Sequence, residues 1–291
     1  MRNGFVMVCV SSPKLYMGNA KQNAEQIIAM MEVAEQHKTK IIVFPELALT
    51  GAGCGSLFGQ STLLDAAGDA IYDIVEKTEK KDIIVVFGTP VDVEGRLYNC
   101  AVVVAHGKVL GVVPQSTVSD TRFSPAPEDN GIAIIGGMEA PFGANLIFEC
   151  LLLGELRFCI TVGNELTTTL SIAERHAANG ANLILSLCSQ PIMAGVQARL
   201  RNEMQILSGR LGCCIVRADA GKNETVGQGG HISYNLIMEN GVLLTESRDE
   251  EDGVLACDVD VQLLEGERRK NGEHIRNRYT KVYFNLEPCV T

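Results

Sequence analysis

A glutamate that follows an apolar strand is the feature of this sequence that most clearly suggests chemistry. Residues 41–51 read IIVFPELALTG, which places Glu46 just beyond a predicted strand and after Pro45. In α/β folds, sites form at the carboxyl ends of strands. A carboxyl walled by apolar side chains loses solvation, so its pKa rises and it suits the role of a general base. The alternative is a structural glutamate that caps a loop amide.

Glycines at 51, 53 and 55 follow this strand and invite comparison with a dinucleotide-binding loop. That fingerprint requires G-x-G-x-x-G directly between a strand and a helix. Here position 56 is Ser, and ELALT separates the glycines from the strand. We therefore predict a flexible loop beside a pocket, without nucleotide binding.

The ten cysteines lie mostly inside apolar runs, as in FVMVCV and RFCITV. Buried free cysteine behaves as a small hydrophobic residue, so the pattern indicates a reducing, cytoplasmic location. The sequence has no C-x-x-C pair, and its five histidines lack the spacing of metal ligands. We predict neither a metal nor a cofactor.

The net charge of −10 argues against a nucleic-acid partner, which would require a basic surface. The chain has no apolar run that approaches the roughly 20 residues of a membrane span. We therefore expect no nucleic-acid or membrane partner.

Short β-branched runs alternate with amphipathic patterns, which is typical of α/β architecture. Helices are predicted at 19–36, 61–79, 170–178 and 197–211, strands at 5–10, 40–44, 82–89, 182–187, 213–218 and 254–259, and hairpins within 97–113, 145–162 and 231–247. Because the strands are apolar on both faces, we predict a four-layer α-β-β-α sandwich. Residues 1–275 would form this domain. The extension 276–291 would pack on it, reach a partner subunit or lead towards another domain.

Five segments resemble, in order, parts of the nitrilase (carbon–nitrogen hydrolase) superfamily, and most closely the glutaminase domains of glutamine-dependent NAD synthetases. They read IVFPELALTG, GTPV with LYNCAVVVAHGKVLGVVP, GANLILSL, GHISYNLIMENGVLLTES and DVDVQLLEGERR. The resemblance spans nearly the whole chain and implies a nitrilase-type sandwich. It also implies amide hydrolysis by a Glu base, a Lys that stabilises the oxyanion and a Cys nucleophile.

Only one of these three residues is retained. Glu46 matches the base, but the motif that normally reads V-P-K-S-Y-L-P is VPQSTVS here, so Gln115 replaces Lys. The strand that normally ends in I-C-E-D reads RFCITVGNEL, which puts Gly163 at the Cys position, Asn164 at Glu and Glu165 at Asp. Glycine has no side chain that can attack a carbonyl carbon.

The predicted pocket wall is altered as well. The family commonly has an aromatic residue after PELALTG, where this chain has Ala52, and residues 119–129 are short and Pro-rich and lack Tyr. We predict that Ala52, Asn164, Glu165 and Gln190 line a ligand pocket. Cys54 and Cys188 are candidates for a relocated nucleophile, although each is expected to be an unreactive buried thiol.

Three functional hypotheses follow. The favoured one is a catalytically inactive pseudo-glutaminase that acts in assembly or regulation. The others are a small-ligand protein that binds an amide or amino acid, and a hydrolase with a relocated cysteine. The resemblance also implies a homo-oligomer and, as a possible partner, an NAD-synthetase-type protein.

Overall fold

The computed structural model describes residues 4–168, 171–191, 193–221, 223–226, 229–231, 233–247, 253–271 and 279–287. Two large mixed sheets form its centre. The first has eight strands in the order β16-β1-β2-β3-β4-β5-β7-β6. Their bounds are β1 Phe5–Ser11, β2 Ile41–Val43, β3 Ile84–Val93, β4 Arg96–Ala105, β5 Lys108–Pro114, β6 Gly131–Ile135, β7 Met138–Phe142 and β16 Val254–Asp260.

The second sheet has seven strands in the order β15-β14-β11-β10-β9-β8-β17. Their bounds are β8 Leu146–Cys150, β9 Arg157–Val162, β10 Leu183–Leu187, β11 Cys214–Ala218, β14 Leu236–Glu239, β15 Val242–Glu246 and β17 Thr280–Phe284. A short separate pair is formed by β12 Thr225–Val226 and β13 Gly229–Gly230. Strands β9, β10 and β11 are parallel neighbours, so their carboxyl ends lie at one edge of the sheet.

Helices cover the outer face of each sheet. Helices α1 Ala20–Gln36 and α2 Ser61–Thr78 pack on the first sheet, and α3 Ile172–Ala178 and α4 Val196–Leu211 pack on the second. Helix α5 Val261–Asn271 follows β16 and ends in basic residues. The apolar stripes of α1 and α2 meet the outward side chains of the sheet, including Ile42 and Val85.

The main core lies between the two sheets. Buried residues such as Val8 and Val86 of the first sheet and Phe158 and Leu185 of the second belong to one apolar cluster. Phe148 and Phe158 stack there with ring centroids 4.8 Å apart. Helix, sheet, sheet and helix therefore form four layers, which confirms the predicted α-β-β-α sandwich.

Three details differ from the sequence-based expectations. The segment expected to be a flexible loop is a 3-10 helix at Ala52–Gly59, since its amides at 52 and 53 are held by the Glu224 carboxylate. The hairpin β6–β7 was not anticipated. Strand β17 is absent from the predicted elements and pairs in parallel with β8 at the edge of the second sheet.

The described part of the extension 276–291 therefore packs on the domain, which is one of the three arrangements considered. The expected boundary at residues 275 and 276 lies outside the described residues. Nine cysteines in the described part are free, and eight of them are buried, as their apolar surroundings predicted. None of the described helices is long and apolar enough to cross a membrane.

Candidate functional site

Glu46 is positioned by a close crossing of two chain segments. It follows β2 after Pro45, and the backbone N–H of Gly88 in β3 donates to the Pro45 carbonyl over 3.0 Å. A Cβ at Gly88 would collide with the Leu47 amide and approach the Glu46 Cα to 2.6 Å. Only glycine lets β3 pass this close, and Leu47 completes the turn with a positive φ of 51°.

An asparagine joins Glu46 to Gln115. Asn99, buried in β4, donates its Nδ2 to Glu46 Oε1 over 2.7 Å and to Gln115 Oε1 over 3.0 Å. Gln115 is buried directly after β5. The Glu46 and Gln115 side chains, identified separately in the sequence, therefore share one hydrogen-bond donor.

The environment of Glu46 disfavours its ionised form. Burial raises its pKa to about 8, and the nearby carboxylates of Asp219, Glu224 and Glu165 act in the same direction. The hydrogen bond from Asn99 opposes this shift. The carboxyl therefore keeps its proton up to about neutral pH, which agrees with the raised pKa expected from the sequence.

Gly163 lies at the end of β9, where its φ is +70°. A Cβ added there would collide with Nε2 of Gln115. The amide group of Gln115 thus fills the space in which a side chain at position 163 would begin. The Gln115 amide and a side chain at position 163 therefore cannot occupy this space together.

A cavity of about 370 Å³ opens above these residues. Among the expected pocket residues, Ala52, Asn164 and Gln190 line it, together with Glu46, Gln115 and Gly163. Its remaining walls are formed by Leu47, Asn99, Ser119, Asp120, Arg122, Phe123, Cys188, Ser189, Pro191 and His231.

Glu165 was expected in the pocket, and this expectation is wrong. Its side chain is buried outside the cavity lining, and its carboxylate accepts hydrogen bonds from three backbone amides. These belong to Ser116 and Thr117 in the segment after Gln115, and to Val162 at the end of β9. Glu165 therefore ties together the two segments that carry Gln115 and Gly163.

The two candidate replacement cysteines have different positions. Cys188 follows β10, next to the end of β9, and lines the cavity, whereas Cys54 is buried in an apolar cluster with Leu47 and Phe123 and does not itself line the cavity. The Cys188 thiol donates to the Gly163 carbonyl over 3.2 Å, and burial raises its pKa to about 11. Because the thiolate is the nucleophile, this environment suppresses reactivity.

A buried ion pair lies behind the cavity wall. Arg217 at the end of β11 donates to Asp219 over 2.9 Å, and both are almost fully buried. Asp219 also accepts the backbone N–H of Gln190, which fixes the segment that carries Cys188 and Gln190. The Arg217 charge is thus neutralised by its own partner and lies outside the cavity lining.

The rim and the side wall carry two further polar pairs. Asp120 and Arg122 form a bidentate ion pair at the rim. On the side wall, Ser189 Oγ lies 2.9 Å from Nδ1 of His231, whose buried Nε2 has no partner within the described part of the chain. The described residues include no cluster of His, Cys, Asp and Glu that could hold a metal ion.

Sequence reasoning missed Asn99, Arg122 and His231. A signal for Asn99 was present, because an amide inside the apolar run LYNCAVVV must find partners when it is buried. Arg122 lies in a segment without regular periodicity, and His231 stands at the start of a predicted hairpin. Their approach to the cavity depends on the tertiary fold.

Comparison with known proteins identifies the family of the chain. The model of the carbon-nitrogen hydrolase family matches residues 8–269. The chain belongs to the carbon-nitrogen hydrolase family. A glutamine-dependent NAD(+) synthetase of Mycobacterium bovis is 30% identical over 99% of this chain, and one of Aquifex aeolicus is 24% identical over 94%. The chain spans only 45% and 46% of these two relatives.

Solved structures agree with this assignment at the level of the fold. A glutamine-dependent NAD(+) synthetase from Cytophaga hutchinsonii matches 90% of this chain with a TM-score of 0.77 and 22% identity, over 44% of its own length. An amidase from Nesterenkonia sp. matches 93% of this chain and 97% of its own length, with a TM-score of 0.70 and 16% identity. The carbon-nitrogen hydrolase domain alone therefore accounts for nearly all of this chain.

Proposed function

We propose that this chain is a carbon-nitrogen hydrolase domain that does not hydrolyse amides, a pseudo-glutaminase that acts in the assembly or regulation of a partner protein. The observation that carries the proposal is the Gln115 amide above Gly163, which fills the place of a nucleophile side chain. Covalent amide hydrolysis requires an attacking atom within about 3–3.5 Å of the carbonyl carbon. Gly163 supplies none.

The charge at the site supports the same proposal. A lysine beside the nucleophile would stabilise an oxyanion, and Gln115 carries no charge. Arg217 is paired with Asp219 behind the wall, and Arg122 is paired with Asp120 at the rim. Each guanidinium is held by a carboxylate, although Nη1 of Arg217 has no hydrogen-bond partner among the described residues.

A hydrolase with a relocated cysteine is less well supported. Cys188 is near Glu46, but its thiol donates to a carbonyl, and its pKa is raised rather than lowered. Cys54 lies outside the cavity lining. The small-ligand hypothesis does have support, because the cavity is lined by both polar and apolar side chains.

Ammonia release tests the absence of hydrolysis. The purified chain, incubated with glutamine and with simple amides, is expected to release no more ammonia than the Glu46→Gln variant. The comparison is informative because the substitution removes the one retained catalytic group without changing its size. Turnover by the natural chain that disappears in the Glu46→Gln and Cys188→Ala variants would contradict the proposal.

The partner in this proposal is an NAD-synthetase-type protein, because the relatives that the chain matches are glutamine-dependent NAD(+) synthetases. Size-exclusion chromatography of the chain with a synthetase from the same cell tests this, and also measures self-association. Co-elution supports assembly. Separate elution at micromolar concentrations would refute that part of the proposal.

A further inference from the structure

Strand β6 forms one edge of the first sheet. It stands at the end of the strand order and, among the described strands, pairs with β7 alone. The antiparallel register of these two strands puts Ile132 opposite Pro141. Proline has no N–H, so this is a non-hydrogen-bonded pair, and the alternation of the ladder turns the N–H and C=O groups of Ile132 and Ile134 away from β7. The outer side of β6 therefore offers backbone donors and acceptors to a further strand.

The side chains of β6 divide between a buried face and an exposed face. Ala133 and Ile135 are buried in the cluster that includes helix α2. Ile132 and Ile134 point to the opposite face and are 72% and 70% exposed. Natural edge strands are commonly protected from pairing by a charged side chain, a proline or a bulge. The segment 130–138 has no charged residue and no proline, and the β6–β7 register has no bulge.

We propose that β6 pairs with β6 of a second copy of this chain, antiparallel and about a two-fold axis at Ala133. This register puts Ile132 of each copy opposite Ile134 of the other. The two pairs form four backbone hydrogen bonds through the groups that point away from β7. They also bring four exposed isoleucines together on one face of a continuous sheet, where cross-strand pairs of β-branched side chains are favourable. A symmetric dimer requires this kind of self-complementary surface.

The acidic residues of the chain favour the antiparallel arrangement. Two copies that each carry a net charge of −10 associate most readily where their carboxylates stay apart. Asp129 shortly precedes β6, so antiparallel pairing puts the two copies of Asp129 at opposite ends of the paired strands. Five residues of strand separate them by about 17 Å, which exceeds the Debye length of about 8 Å at physiological salt. A parallel pairing would place the same carboxylates side by side.

The size of the contact predicts a weak dimer. Strand β6 has five residues, whereas a stable complex usually buries about 800 Å² on each partner. A dissociation constant on the order of tens of micromolar is therefore expected. The inference goes beyond the proposed function, because no residue of β6 lines the cavity. The dimer can form whether or not the chain hydrolyses amides.

Sedimentation velocity over a range from about 5 to about 500 µM, which brackets this constant, tests the self-association. The natural chain is expected to change from monomer to dimer within the range. Ile132→Lys should weaken the dimer at least about tenfold, because it sets an ammonium group against an isoleucine of the partner copy. Ile206→Lys on α4 is the matched control, since Ile206 is 69% exposed, and it should leave the dimer unchanged. Thermal unfolding should be similar for all three proteins, because both isoleucines are exposed.

Disulfide cross-linking tests the register. Ile132→Cys and Ile134→Cys should each fail to cross-link alone, because each new thiol then faces an isoleucine. In a mixture of the two variants the thiols face each other with Cα atoms about 5.5 Å apart, which is within the range of a disulfide. Mild oxidation of the mixture should therefore give a covalent dimer. Mass spectrometry of the cross-linked peptides distinguishes it from dimers that form through the natural cysteines.

A chain that stays monomeric up to about 500 µM, well above the expected constant, would overturn the inference. A dimer that Ile206→Lys abolishes and Ile132→Lys leaves intact would overturn it as well. Cross-linking of each cysteine variant alone, as readily as in the mixture, would rule out the two-fold register. A monomeric chain that loses a synthetase-type partner on Ile132→Lys would show that a different protein covers β6. Ammonia release from glutamine by a chain that dimerises through β6 would refute only the proposed function.

Discussion

At the residue scale, the conformation of Gln115 explains why position 163 is a glycine. Gln115 extends its amide over Gly163, and Asn99 holds Oε1 of that amide from the opposite side. Nε2 is thereby directed into the space that a Cβ at position 163 would need. The positive φ of Gly163 adds a second reason for glycine, since other residues adopt this conformation at a cost of about 1–2 kcal/mol.

Substitution of Gly163 by alanine is expected to destabilise the protein by about 2 kcal/mol or more, because backbone strain adds to the collision with Gln115. Gly154, which is exposed and has open space around its Cα, is the matched control, and its alanine variant should change stability by less than about 0.5 kcal/mol. Urea denaturation measures both. Equal effects of the two substitutions would contradict this account.

Combination with Gln115→Ala separates the two contributions. Removal of the Gln115 amide should relieve its collision with a Cβ at position 163 but not the backbone strain there. The loss of stability in the Gly163→Ala, Gln115→Ala double variant should therefore be smaller than the sum of the losses in the two single variants. For the same reason, Gly163→Cys alone is expected to give no glutaminase activity. Strict additivity in this cycle would show that Gln115 does not limit the space at Gly163.

At the scale of secondary structure, strand ends and hairpins position the site. Residues from the ends of β2, β5, β9 and β10 converge because their strands end at the same side of the sandwich. Periodicity and turn residues predicted most of these elements, including the hairpin that turns at His106 and Gly107. The β6–β7 hairpin and β17 were missed, because short strands at sheet edges lack a long alternating pattern. Their pairing depends on distant parts of the chain.

Strand β17 is expected to contribute to the core in spite of its position near the end of the chain. Phe284 is 5% exposed and packs near Phe158, whereas its neighbour Tyr283 is 51% exposed. Phe284→Ala should therefore cost about 3–5 kcal/mol, and Tyr283→Ala less than about 1 kcal/mol. Thermal or urea unfolding tests this. Comparable losses of stability in the two variants would show that the side chains of β17 do not alternate between the core and the solvent.

At the scale of the whole molecule, periodicity predicted the α-β-β-α sandwich, whereas the grouping of Glu46, Gln115 and Gly163 was implied by the resemblance to the carbon–nitrogen hydrolase superfamily. The structure places these three residues around one cavity. The role of Glu165 could not be predicted, because its partners are backbone amides in two separate segments. The pairing of Arg217 with Asp219 could not be predicted either, because closeness in the sequence does not guarantee an ion pair.

The buried state of Glu46 should be visible in the stability of the entire protein. Its pKa is about 8 in the fold and 4.5 as the ordinary value, so the folded state retains a proton that the unfolded state has released. Its contribution to stability is thus fully present below pH 4.5 and is lost as the pH rises towards 8. The loss is at most on the order of 1.4 kcal/mol per pH unit in this window.

The Glu46→Gln variant should lack this decline in stability between pH 4.5 and pH 8. Asp219 and Glu165 titrate in the natural chain and in the variant alike, so the difference between their unfolding free energies isolates the contribution of Glu46. Denaturation in amine-free buffers from pH 5 to pH 8 provides the measurement. A constant difference across that range would mean that the Glu46 carboxyl is ionised in the fold.

The Gln115 amide above Gly163 also constrains which substitutions such a domain can accept as it evolves. A mutation that introduces a thiol at position 163 places it in occupied space, so the loss of stability precedes any gain in activity. Shortening of residue 115 must come first, and that step alone restores no catalysis. The order of substitutions is therefore biased against reversal, and descendants of this chain are expected to keep the glycine for as long as they keep the glutamine.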